Sequence, residues 1–122
     1  MKTKLLLVDD SALARRSLRA ILEPEGFDVV EAEDGMVALE RYFLDRPDVV
    51  MLDLVMKGMY GLDVLSKLRE LDPTARVIVV SADVQSSSMQ LVEEAGASGF
   101  INKPFERERL LSTVRQVLER PM

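Results

Sequence analysis

Two rhythms alternate along the chain. Short unbroken apolar runs (Leu5-Leu6-Leu7-Val8, Val49-Val50-Met51-Leu52, Val77-Ile78-Val79-Val80 and the shorter Phe100-Ile101) are separated by stretches in which apolar residues recur every three or four positions. The runs are of strand length, and uninterrupted apolar strands are what a parallel sheet covered on both faces requires. The spaced stretches read as amphipathic helices. The first strand covers about residues 4–9. Ser11 then offers a helix N-cap, and Ala14, Leu18, Ile21 and Leu22 form one face, with Arg15, Arg16 and Arg19 elsewhere. Pro24 and Gly26 stop that helix. Residues 27–32 alternate, with Phe27, Val29 and by parity Glu31 against Asp28 and Val30. As the least apolar strand, this one is the expected edge.

A second helix opens at Asp34-Gly35, carries Leu39, Tyr42 and Phe43, and ends before Pro47. The central strand, residues 48–53, and a loop over 54–60 lead to a helix over 61–71. That helix repeats Gly61, Val64, Leu65, Leu68 and Leu71 and is broken by Asp72-Pro73. A helix over 83–95 follows the fourth strand. Ser86-Ser87-Ser88 makes it the weakest by propensity, and Gly96 is placed to end it. A strand over 99–102 and a helix over about 106–118 complete the chain. The last helix turns Leu110, Leu111, Val114, Val117 and Leu118 inward and its arginines outward. Five β-α units predict an α/β fold, a three-layer α/β/α sandwich on a five-stranded parallel sheet with right-handed crossovers.

Composition narrows what such a fold does. A length of 122 residues predicts a single domain over 1–122. No apolar run approaches the roughly 20 residues that span a bilayer, and no signal-peptide core precedes the first strand. The absence of cysteine agrees with a cytoplasmic protein. A net charge of −5 argues against direct nucleic-acid binding. With no histidine there is no histidine-based acid–base catalysis, no Ser-His-Asp triad and no histidine-ligated zinc. For the same reason the chain can receive, but not donate, in a histidine phosphorelay.

Candidate chemistry collects where the apolar runs stop. Asp9-Asp10, Asp53, Ser81-Ala82 and Lys103 each follow a strand, and ligands of open α/β sheets bind outside the carboxyl ends of the strands. Each piece has a plainer reading: Asp9-Asp10 as the start of a helix, Asp53 as the acid opening a loop, Ser81-Ala82 as a helix approach, Lys103-Pro104 as a turn. Taken together they read as a phosphoryl-accepting, divalent-metal site. Carboxylates held close raise one another's pKa unless a cation joins them. Oxygen-only ligands suit Mg²⁺, and a carboxylate is a competent nucleophile toward phosphorus.

On these residues the chain resembles the receiver domain of bacterial two-component response regulators, of the stand-alone, chemotaxis-type kind, over essentially its whole length. The resemblance implies a flavodoxin-like strand order, 2-1-3-4-5. It implies that Asp53 accepts a phosphoryl group from a sensor histidine kinase or phosphotransfer protein. Mg²⁺ would be held by Asp10 directly, Asp9 partly through water, Asp53, and the Val55 carbonyl. Lys103, the Ser81 hydroxyl and the Ala82 amide would contact the phosphoryl oxygens. Ser81 and Phe100 would form a switch read by a downstream target on the surface of helix 4, strand 5 and helix 5. The Lys103-Pro104 bond would be cis. The chain would catalyse only its own phosphorylation and dephosphorylation.

Departures from the family pattern are Lys57 where a proline is usual, Phe100 in place of the commoner tyrosine, and Val55 and Asp83 at positions that tune phosphoryl lifetime. Met56, Met59 and Met89 read as core or loop packing, with an adaptable binding surface as the alternative. A small Mg²⁺-dependent phosphatase with an aspartyl nucleophile is a competing class, but it needs a general acid two residues on, where Val55 stands. A receiver-like module that no longer takes phosphate is another, and no acceptor-site residue is missing to favour it.

Overall fold

The computed structural model describes residues 2–56, 60–82 and 86–120, apart from the side chains of 86–88. Five strands, β1 (Lys4–Val8), β2 (Asp28–Ala32), β3 (Val49–Leu52), β4 (Val77–Ser81) and β5 (Gly99–Asn102), alternate with five helices. These are α1 (Ala12–Leu22), α2 (Gly35–Asp45), α3 (Gly61–Leu71), α4 (Ser86–Glu94) and α5 (Arg107–Glu119). All pairings are parallel and the order is β2-β1-β3-β4-β5, so β2 is an edge as its composition implied.

Successive side chains of a strand point to opposite faces, which divides the core in two. Leu5, Leu7, Val49, Met51, Ile78 and Val80 meet α1 and α5 through Leu18, Leu22, Leu110 and Val114. Leu6, Val8, Val50, Leu52, Val77 and Val79 meet α2, α3 and α4 through Ala38, Val64, Leu65 and Val92. Each fully buried Leu or Val contributes about 1.5–3 kcal/mol over exposure. The three-layer sandwich is therefore written into the parity of the strands.

The helix termini follow their local chemistry. Ser11 accepts from the Ala14 amide at 3.1 Å, and Asp34 from the Val37 amide at 2.9 Å. The first helix runs into a 3₁₀ turn, Glu23–Glu25, which Gly26 closes at φ +94°, a conformation that a side chain would strain. Gly96 ends α4 in the same way at φ +90°. Three expectations are corrected. Phe43 is 59 % exposed, because α2 buries the stripe Gly35, Ala38 and, in part, Leu39 and Tyr42. Leu71, the last residue of α3, is also exposed. Phe27 lies outside the edge strand, though it packs on the α1–α5 side as its parity required. The helix start expected at residue 83 lies outside the described residues.

Candidate functional site

Strand register assembles the site. Val8 pairs with Leu52, so one step further Asp9 stands beside Asp53. The Asp53 amide donates to the Val8 carbonyl at 3.0 Å, and the Asp9 amide to the Ala32 carbonyl at 3.2 Å, extending the sheet past its strand ends. On the other side Ser81 pairs with Asn102, and the Lys103 amide donates to the Ser81 carbonyl at 2.9 Å. The Lys103-Pro104 bond is cis.

The Lys103 ammonium lies between two of the acids. It donates to Asp9 Oδ2 at 2.9 Å and to Asp53 Oδ2 at 3.4 Å. The remaining oxygens are held by backbone: Asp9 Oδ1 accepts from the Ser11 amide at 2.9 Å, and Asp53 Oδ1 from the Val55 amide at 3.2 Å. Asp9 is buried, Asp53 and Lys103 are half-buried, and Asp10 is exposed. Ser81 is wholly buried at the end of β4 and Ala82 is exposed beyond it.

Burial pushes the Asp53 carboxyl above its ordinary value, and the nearby Asp9 charge adds to this. The Val55 amide and the Lys103 charge oppose the rise without cancelling it. For Lys103 the balance runs the other way. Burial disfavours the ammonium, but the hydrogen bond to Asp9 and the charges of Asp53 and Asp9 together outweigh it and raise its pKa.

Among the described residues no group of three acidic side chains is gathered closely enough to hold a metal ion as it stands. The donor chemistry nevertheless fits a hard cation: Asp9, Asp10, Asp53 and a backbone carbonyl offer only oxygen. The raised Asp53 carboxyl is the under-compensated charge that such a cation would satisfy.

Gly61, Arg15 and Glu31 matter here, although the sequence pattern gave none of them a role at the site. Gly61 opens α3 directly over the acceptor loop and donates its amide to the Leu54 carbonyl at 2.9 Å. A Cβ there would come within 2.5 Å of Leu54 Cα and collide with the Asp53 carbonyl. Arg15, set aside as merely off the apolar face, turns its guanidinium to the Asp9 carbonyl at 2.6 Å and to Glu31 at 2.8 Å. The spacing of Arg15 from Ser11 and the parity of Glu31 were the available signals.

Phe100 pairs with Val79 and packs half-buried beside Val92. Together with Met89, Glu93 and Ala97 it lines a cavity of about 160 Å³ between α4 and β5. Met56 is in the core. Lys57, Met59 and Asp83 lie outside the described residues. A larger cavity, about 420 Å³, lined by Tyr42, Phe43, Arg46 and Asp72 among others, lies at the amino ends of the strands, away from these groups. No helix among the described residues is long and apolar enough to cross a membrane.

Comparison with known proteins agrees with this fold. The family model of the response regulator receiver domain matches residues 5–115. The chemotaxis protein CheY of Bacillus subtilis is 40 % identical over 119 residues, covering 97 % of this chain and 99 % of that protein. The transcriptional regulatory protein CseB of Streptomyces coelicolor is 35 % identical over 98 % of this chain, which spans 50 % of CseB. Among solved structures, the Vibrio cholerae chemotaxis protein CheY4 superposes with a TM-score of 0.91 at 29 % identity, covering 96 % of this chain and 99 % of that one. The CheX–CheY–BeF3–Mg complex of Borrelia burgdorferi does so with a TM-score of 0.91 at 35 % identity, covering 97 % and 90 %. Sheet order and these matches agree: the chain belongs to the response regulator receiver domain family of two-component signalling.

Proposed function

We propose that the chain is a phosphorylation switch in which Asp53 is the acceptor. The observation that carries this reading is the Lys103 ammonium held against both Asp9 and Asp53, residues 94 and 50 positions away in the chain. A carboxylate oxygen of Asp53 attacks the phosphorus of a phosphohistidine on a sensor kinase or phosphotransfer protein. The P–O bond to Asp53 forms as the P–N bond breaks, and the imidazole leaves with a proton. Lys103 offsets charge on the phosphoryl oxygens, with the Ser81 hydroxyl and the Ala82 amide as further donors. Asp9, Asp10, Asp53 and the Val55 carbonyl would hold Mg²⁺, which when bound supplies charge neutralisation at those oxygens. The B. burgdorferi complex, solved with BeF3 and Mg²⁺, supports the same reading for a relative.

Ser81 is buried at the carboxyl end of β4, and in this reading phosphorylation of Asp53 draws its hydroxyl toward the phosphoryl group. Phe100, half-buried on the neighbouring strand β5, would turn inward as Ser81 moves. Such a shift would alter the α4–β5–α5 surface on which a downstream target binds, a two-state element biased by the new charge. The reading makes the chain a cytoplasmic protein that acts only on its own aspartyl phosphate, with neither nucleic acid nor membrane as a direct partner.

The test is incubation with Mg²⁺ and acetyl phosphate, followed by intact-mass measurement. One added phosphoryl group is expected, with acetate released, and none on Asp53→Ala. A mass gain that survives that substitution, or no gain at all, refutes the proposal.

A further inference from the structure

We propose that Arg15 is a positioning residue for the acid pair Asp9-Asp10, anchored by Glu31 of the edge strand; this rests on the metal-binding role proposed above. Arg15 occupies the first turn of α1, and helical side chains lean toward the helix N-terminus. Its guanidinium therefore folds back over the β1–α1 turn, and the side chain as a whole is only 15 % exposed. Nη1 donates to the Asp9 carbonyl at 2.6 Å, and Nε donates to Glu31 Oε1 at 2.8 Å.

Glu31 is itself gripped. Arg19, one turn on, donates from Nε to its other oxygen at 3.0 Å and from Nη2 to the Val29 carbonyl at 3.1 Å. The edge strand thus presents a fixed carboxylate, and that carboxylate fixes Arg15.

The carbonyl that Arg15 holds belongs to the peptide joining the two acids. Because that peptide is planar, fixing the Asp9 carbonyl also fixes the plane from which Asp10 departs. The Asp9 amide is tied to Ala32 and the Asp9 side chain to the Ser11 amide and Lys103, so Asp9 is restrained on every side. Mg²⁺ demands near-ideal octahedral geometry, so restraint of this kind converts into affinity.

Two effects of removing Arg15 have opposite signs, which makes the proposal testable. Loss of a positive charge near the acids would by Coulomb attraction strengthen cation binding. Loss of positioning weakens it, typically on the order of 10-fold where an orienting partner of a ligand is removed. The experiment is Mg²⁺ titration of the full chain by calorimetry, with amide hydrogen exchange of the Mg²⁺-free protein.

Arg15→Met should bind Mg²⁺ on the order of 10-fold more weakly and exchange faster at Asp10. Arg15→Lys, which keeps the charge but has one ammonium for two partners, should also weaken binding. Glu31→Ala, which leaves Arg15 present but unanchored, should reproduce the loss if Arg15→Met does not fold. Glu25→Ala breaks the ion pairs to Arg107 and Arg115 away from the acids. It should lower thermal stability with Mg²⁺ affinity unchanged. Equal or tighter Mg²⁺ binding by the folded Arg15 and Glu31 variants overturns the inference alone. A wild-type chain that takes no Mg²⁺ overturns both it and the metal-binding role.

Discussion

Asp53 is a half-buried carboxyl whose nearest cation among the described residues, Lys103 at 3.4 Å, is held more closely by Asp9. A carboxyl raised in the folded state favours folding only while protonated. In Mg²⁺-free buffer its contribution is full below the ordinary value of 3.8 and is lost as pH rises through the raised one. Asp53→Asn, always neutral, should match the wild type at low pH and become the more stable of the two above that window. Urea midpoints across the acid-to-neutral range measure this, and a variant less stable than wild type at neutral pH would contradict it. Asp72 titrates with the opposite sign. Hydrogen bonds from Thr74 and from Tyr42 lower its pKa, so its contribution is present above 3.8 and fades as pH falls. Comparing the two Asp53 forms cancels that background.

Between elements, the tight join is α3 against the end of β3. Gly61 is glycine because backbone lies where a Cβ would be, and backbone does not give way as a flexible side chain does. Gly61→Ala must push α3 outward or shift the Asp53–Leu54 segment. We expect a stability loss of about 1–3 kcal/mol by urea denaturation, and slower labelling by acetyl phosphate. An alanine variant with unaltered labelling would mean the acceptor loop is not set by this contact. The edge strand shows the complementary case. Its low apolar content predicted its place in the sheet, yet Glu31, whose parity faces α1, supplies an ionic anchor there rather than an apolar contact.

At the scale of the whole molecule, acids and lysine gather at one rim, while the surface proposed for output, α4, β5 and α5, lies along one side of the sheet. Beryllofluoride with Mg²⁺ should therefore change which proteins the chain retains in a pull-down, relative to the apo form. Identical capture in both states would separate phosphoryl acceptance from signalling. Much of this architecture was legible in the chain itself. Four-residue apolar runs fix buried strands, spaced apolar residues fix helices, and their alternation leaves few topologies that are parallel and right-handed. Acids at the ends of runs then fall on one rim, because every strand of a parallel sheet ends on the same side. What the tertiary structure decided was the pairing of individual groups. Periodicity encodes which face a side chain takes, not which neighbour it meets. So Lys103 closer to Asp9 than to Asp53, Arg15 on the Asp9 carbonyl, the missing space at Gly61 and the exposure of Phe43 emerged only from distances set jointly by register and helix packing.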